Sequence, residues 1–273
     1  MRHAGLVDLH SHFVPGVDDG ARTPDEAVEA LAAMFAQGCD TCVTTPHFDA
    51  SLARHPQAMA ARLAEFDGAW DRLGAACAAR VQRMGKSDLP ALFRGAEVML
   101  DDPEPDLSNP RLRIAGGNFV LVEFPAMQLP PNADVGIAFL ARQGWRPIVA
   151  HPERYRNLES GLEPLRRMRE VGAYFQINAG SLTGKHGANA GRYARRLLQL
   201  GWASLMASDY HARGVPQLAD AIKVLTDAGG GEQAKRLLSD NPRRILIGAA
   251  PFDVPPLAPN RESGWWQKLL GKG

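Results

Sequence analysis

The stretch LVDLHSH, residues 6–12, is an apolar run that breaks off into two histidines, His10 and His12. The same kind of ending recurs along the chain. TCVTTPH stops at His47, RPIVAH at His151, and WASLMASDYH at Asp209 and His211. LFRGAE and FVLVE stop at carboxylates, Glu97 and Glu123. Each run reads as a buried strand, and alternate residues of a strand share a face. His10 with His12, and Asp209 with His211, therefore present two donors together. Adding YFQINAG gives seven strands, six of which deliver a candidate metal ligand. An open sheet concentrates its site at one switch point, whereas a parallel barrel gathers side chains from the ends of many strands. The expected fold is α/β: a (β/α)7 barrel with its site at the C-terminal ends of the strands.

The segments between these runs have helical pattern. TPDEAVEALAAMFAQG offers Thr23 as N-cap, Pro24 at the first helical position, Glu26 completing a capping box and Gly38 as the stop. A long Ala-rich helix is expected over residues 57–83, and further helices at ADVGIAFLARQG, GLEPLRRMREVG, ANAGRYARRLLQLG, residues 216–228 and residues 232–238. The strands are mostly continuous apolar runs rather than alternating ones, as when both faces of a sheet are covered. Residues 1–248 are expected to form the catalytic barrel. Residues 249–273 form a Pro-rich irregular tail ending in GWWQKLLGKG, an arm on the barrel or a weak contact for a membrane surface or partner.

Bulk properties narrow the function. With 273 residues and a formal charge of +1, the chain can bury a substantial core and carries no basic field for nucleic acid. No apolar stretch reaches the roughly 18 residues that span a bilayer, and the N-terminus lacks a signal core, so a cytoplasmic location is expected. Cys39, Cys42 and Cys77 cannot all pair as disulfides. Cys39 and Cys42 spell C-x-x-C, but one follows a helix stop and the other lies inside an apolar run, so both read as packing residues. Cys77 and Arg83 spell the C-x5-R of cysteine-dependent phosphatases. That chemistry needs a glycine-bearing phosphate loop, whereas GAACAARVQR reads as helix.

Five histidines, two glutamates and one or two aspartates (Asp209, and Asp19 or its neighbour Asp18 in PGVDDG) exceed the three or four protein ligands of one catalytic zinc. They fit two or three divalent ions with bridging carboxylates. Imidazole and carboxylate without thiolate suit manganese, iron or zinc. Such clusters polarise phosphoryl oxygens and activate water near neutral pH. Arg154 lies three residues past His151, where a guanidinium can clamp phosphate in a bidentate manner. Arg213, just past His211, is a second substrate-binding candidate. Asn178, at the end of YFQINAG, either orients substrate or caps its turn.

The ordered motifs DLHSH, PGVDDG, TPH, GAEVML, VEFP, AHPERY, INAGSLTG and SDYH closely resemble the PHP (polymerase and histidinol phosphatase) superfamily. More narrowly, they resemble its manganese-dependent protein-tyrosine phosphatases of the CpsB/CapC type, from about Val7 to Ile247. The resemblance implies a distorted barrel and a trinuclear site. Its metal ligands would be His10, His12, Asp19, His47, Glu97, Glu123, His151, Asp209 and His211, with Glu97 bridging. Arg154, Asp209 and His211 would carry catalysis, with manganese the first expectation. The implied substrate is phosphotyrosine on a bacterial tyrosine autokinase governing polysaccharide synthesis. A second arginine usually follows the last D-x-H by several residues, but here Arg213 comes only two residues on. Two alternatives share the ligands: a PHP phosphatase for a small phosphomonoester such as histidinol phosphate, and an inactive metal-binding regulatory module. A homo-oligomer is compatible with the chain.

Overall fold

Every strand pairing in the computed structural model, which describes residues 5–158 and 161–258, is parallel. The strands are β1 (Leu6–Asp8), β2 (Cys39–Thr44), β3 (His47–Asp49), β4 (Ala91–Arg94), β5 (Glu97–Met99), β6 (Phe119–Glu123), β7 (Arg146–Ala150), β8 (Tyr174–Asn178) and β9 (Leu205–Ala207). Parallel neighbours need crossovers. The helices are α1 (Pro24–Ala36), α2 (Pro56–Met84), α3 (Ala133–Arg142), α4 (Glu163–Glu170), α5 (Ala179–Leu182), α6 (Gly187–Gln199), α7 (Leu218–Asp227), α8 (Gly231–Lys235) and α9 (Asn241–Leu246).

The expected α/β architecture with parallel strands is present, but hydrogen bonding divides the strands into two sheets, ordered β1-β2-β4 and β3-β5-β6-β7-β8-β9. Two of the seven expected strands are broken in the middle. TCVTTPHF is interrupted at Thr45–Pro46, where proline has no N–H to donate, and LFRGAEVML is interrupted at Gly95–Ala96. Single hydrogen bonds carry the pairing past the breaks: Thr45 N to Ser11 O, Gly95 N to Thr44 O and Glu97 N to Pro46 O. At the other edge, a parallel bridge between Ser11 and Tyr210 links the chain leaving β1 to the chain leaving β9. Asp209 N donates to His10 O there, and His12 N to Tyr210 O.

The local signals hold with small changes. Thr23 caps α1 by accepting from Glu26 N, but the Glu26 carboxylate reaches back to Arg22 N rather than to Thr23. The long helix runs from Pro56 to Met84 and ends on Gly85 in the left-handed conformation. The last helical region continues past residue 238 through a π turn into α9. Val7, Leu9, Val43, Phe119, Leu121, Ile148, Ala150 and Leu205 form an inner cluster with Ile114 and Ile245. The larger cluster lies between the strands and the surrounding helices. Burying a side chain such as Phe119 contributes roughly 1.5–3 kcal/mol. On β6 the inward series Phe119, Leu121 continues to Glu123, and on β8 the series Tyr174, Gln176 continues to Asn178. Period-2 geometry thus aims polar groups into the space above the inner core. Residues 249–258 carry no regular element and bury Val254 and Leu257 against the helices. The GWWQKLLGKG segment lies outside the described residues.

Candidate metal centre

His10 and His12 follow β1, and Asp18 and Asp19 lie in the turn beyond them. His47 opens β3, Glu97 opens β5, Glu123 closes β6, His151 follows β7, and Asp209 and His211 follow β9. All reach the same end of the sheets. Their donor atoms converge in three overlapping groups: His12, Asp19, His47 and His211; His10, His12, Glu97 and Asp209; and His47, Glu97 and Glu123. Within each group the atoms lie inside 4.8 Å of one another. His151 stands beside them, its Nε2 at 2.9 Å from Glu97 Oε1 and 3.9 Å from Glu123 Oε2.

The hydrogen-bond network fixes which imidazole nitrogen faces the centre. Asp209 is ionised and only accepts, so the Asn178 amide nitrogen donates to its Oδ2 at 2.7 Å. The Asn178 oxygen then accepts from Gln176 Nε2 at 2.7 Å, which leaves Gln176 Oε1 to accept from His10 Nδ1 at 2.9 Å. The His10 Nδ1–H is therefore held by Gln176 Oε1, and its Nε2 points inward. By the same logic Asp18 Oδ2 takes the Nδ1 proton of His12 at 2.8 Å, and the Asp209 carbonyl takes that of His211 at 2.9 Å. This orienting outer layer is what metal-ligating histidines require.

His10 Nε2 and His12 Nε2 then face each other at 3.2 Å. Glu97 Oε2 completes a triangle with them, fully buried and without a hydrogen bond among the described residues. It is 3.1 Å from His10 Nε2, 3.5 Å from His12 Nε2 and 3.2 Å from His47 Nδ1. Imidazole nitrogens and carboxylate oxygens crowded into one buried space call for cations, and the donor set suits divalent ions of the manganese, iron or zinc kind. Titration directions agree. Burial alone pushes the His10 imidazolium down, yet the Glu97 and Asp209 charges outweigh it and raise its pKa to about 9. Burial likewise opposes ionisation of Glu97 and Asp209, but His10 and its neighbouring imidazoles hold both well below the usual carboxylate range.

Two candidate ligands sit on strained backbone. His151 (φ 32°) and Asp209 (φ 48°) are both in the left-handed region, which is costly for residues with a Cβ. The turns re-aim side chains that regular strand geometry would send elsewhere. Gly20 serves the PGVDDG turn differently. A Cβ there would collide with the carbonyl oxygen and Cβ of His12, so only glycine lets the turn close on the histidine strand.

Of the two aspartates in that turn, Asp19 faces the centre and Asp18 supports His12 while accepting from Gly20 N and His47 N. Arg154 lies at the edge, its Nη1 2.7 Å from Asp209 Oδ2. Arg213 is exposed and donates to the Asp19 carbonyl at the opposite edge. Asn178 is fully buried, and its amide is engaged by Asp209 and Gln176 rather than open to a substrate. Cys77 and Arg83 both lie inside α2, so C-x5-R forms no phosphate loop. Cys39 and Cys42 are buried core thiols.

Sequence reading missed Gln176, Glu153 and His186. Gln176 had a signal, a lone amide inside the apolar run YFQIN. Glu153 is buried and accepts from Asn178 N at 2.9 Å and from Ser181 Oγ at 2.7 Å. Ser181 Oγ also meets His186 Nδ1 at 3.1 Å. No sequence spacing brings these three together.

Known proteins resemble the whole chain. It is 28% identical over 271 residues to the tyrosine-protein phosphatase YwqE of Bacillus subtilis, covering 97% of this chain and 99% of the relative. It is 27% identical over 253 residues to the tyrosine-protein phosphatase CpsB of Streptococcus pneumoniae, covering 89% and 98%. A chain from the crystal structures of those two proteins, described as unique metal-dependent tyrosine phosphatases, superposes with a TM-score of 0.74 at 26% identity, covering 94% of this chain and all of that one. Residues 6–247 match the family described as capsular polysaccharide synthesis, CpsB/CapC. With nearly its whole length matched, and its histidines and carboxylates gathered at one end of parallel strands, the chain belongs to the CpsB/CapC family.

Proposed function

We propose that the protein is a metal-dependent protein-tyrosine phosphatase, acting on phosphotyrosine of a tyrosine autokinase that controls capsular or exopolysaccharide synthesis. One observation carries the reading: the three ligand groups share members. Glu97, His12 and His47 each belong to two groups, so the groups adjoin, and the Glu97 carboxylate would bridge neighbouring cations. Two or three ions, manganese first, would be held by His10, His12, Asp19, His47, Glu97, Glu123, His151, Asp209 and His211. When bound, such ions polarise phosphoryl oxygens and activate water.

The protein's own groups do the rest. Gln176, Asn178 and Asp18 hold the ligating side chains in one tautomer and one orientation. Arg154 stands 2.7 Å from Asp209 with its side chain 30% exposed, placed to take phosphoryl oxygens through its planar fork. Arg213 would approach from the Asp19 edge. Asn178 acts by positioning Asp209 rather than by touching substrate. No helix among the described residues is long and apolar enough to cross a membrane. We place the protein in the cytoplasm, with its three cysteines free. A small-metabolite phosphatase or an inactive module is not favoured, because the relatives are tyrosine phosphatases and the chain carries a residue of the expected type at every ligand position.

The test is a matrix of metals and substrates. Metal-stripped protein is reconstituted with manganese, iron, zinc or magnesium, then assayed on phosphotyrosine peptide, phosphoserine peptide and histidinol phosphate. Metal-dependent preference for phosphotyrosine is expected. Preferential hydrolysis of histidinol phosphate, or no turnover with any ion, would refute it.

A further inference from the structure

A cleft of about 400 Å³ opens beside Arg154, away from the ligand cluster, lined by Met127, Arg156, His186, Asn189 and Tyr193 among others. It is continuous with the proposed phosphate grip, since Arg154 walls the cleft and also contacts Asp209. Whatever extends from a phosphoryl group held there has this cleft next to it.

The cleft is built rather than incidental. One side is two loops, those following β6 and β7, pinned together by Arg156 N to Met127 O at 3.0 Å, and the other side is α6. Asn157 reinforces the loops, accepting from Leu129 N and donating to Leu129 O. Those loops leave directly from Glu123 and His151, so that side is fixed to the ligand cluster.

The charge of the cleft is one-sided. Arg154 and Arg156 line it, and its only carboxylate, Glu153, is 1% exposed and hydrogen-bonded to Asn178 N and Ser181. The Arg156 backbone is anchored. Its exposed guanidinium has neither a hydrogen bond nor an ion pair among the described residues. Met127 and Tyr193 supply apolar walls, and Asn189 an amide able to pair with peptide backbone.

We propose that this cleft receives the polypeptide flanking the phosphotyrosine, and that Arg156 selects acidic flanks by pairing with a carboxylate next to the phosphorylated residue. The inference rests on the phosphatase reading and adds its specificity. Arginine clusters beside a phosphate site read acidic motifs in this manner, and charge complementarity at a rim sets partner choice.

The test compares catalytic efficiency of wild type, Arg156→Gln and Arg156→Glu on three substrates: an acid-flanked phosphotyrosine peptide, a lysine-flanked one of equal length, and p-nitrophenyl phosphate, which has no flanks. Wild type should prefer the acidic peptide by about two- to fivefold, the upper range of an exposed ion pair. Arg156→Gln should erase the preference and Arg156→Glu invert it, with p-nitrophenyl phosphate unchanged within about twofold, as for a residue remote from the reacting atoms. Wild-type indifference to the flanks, or equal losses on all three substrates, overturns this inference alone. Failure of wild type on every substrate overturns the phosphatase reading and this inference with it.

Discussion

Replacing Gln176 by methionine removes one buried amide while nearly keeping its volume. Three contacts go with it: the acceptor for His10 Nδ1–H at 2.9 Å and for His151 N at 3.4 Å, and the donor to Asn178 Oδ1 at 2.7 Å. The stranded His10 N–H is fully buried, and an unsatisfied buried donor costs about 1–3 kcal/mol. At about 1.4 kcal/mol per decade, that is roughly five- to 150-fold in the population of the tautomer that aims Nε2 inward. Asn178 also loses the contact that holds its amide toward Asp209. Outer-layer substitutions of this type weaken metal binding by about 10–100-fold, so the two routes agree. Gln176→Met should therefore shift the manganese midpoint of activity, and of bound metal by elemental analysis, by roughly 10–100-fold, with the protein still folded by circular dichroism. Gln176→Glu keeps an acceptor for His10 and should lose less. A Gln176→Met protein with the wild-type midpoint and full turnover would show that the relay does not set the ligand geometry.

Other perturbations separate the parts of the site. Arg154→Lys keeps the charge but loses the planar fork, so catalytic efficiency should fall about tenfold or more while bound metal stays at the wild-type level; full efficiency would mark Arg154 as an edge residue only. Cys77→Ser should leave turnover intact, because the thiol lies half-buried in α2 with its pKa pushed up by burial; a trapped phosphocysteine would contradict this. Gly20→Ala forces the PGVDDG turn off His12 and should cost about 1–3 kcal/mol, read as a lower Tm and weaker metal retention. The pKa of His10, raised to about 9 without metal, means that its proton must leave when a cation takes Nε2. Metal uptake at pH 7–8 should release protons, and apparent affinity should fall by up to about tenfold per pH unit lost. Calorimetry in buffers of different ionisation enthalpy measures this release. In the metal-free chain the same shift contributes stability below pH 6.5 that is lost as pH rises through 9.

Strand positions and most candidate ligands were legible in the sequence because both are written locally. An apolar run that stops at a histidine or carboxylate names the strand and its terminal donor at once, as in LVDLHSH and FVLVE, and Thr23 and Gly38 mark helix ends through backbone rules that need no neighbours. Three things were decided only by the fold. The sheet breaks at Pro46 and Gly95 depend on how bent strands meet Ser11 and Thr44 from elsewhere in the chain. The choice between Asp18 and Asp19 follows from which carboxylate the closed turn swings toward His12, a matter of a few ångströms that adjacent residues cannot encode. The Gln176–Asn178–Asp209 relay and the buried Glu153–Ser181–His186 contacts join residues on separate strands and helices, and their pairing exists only once those elements pack. Donor identity is thus a local property of the chain. Which proton each donor carries, and which way its lone pair points, is a property of neighbours that only tertiary structure supplies.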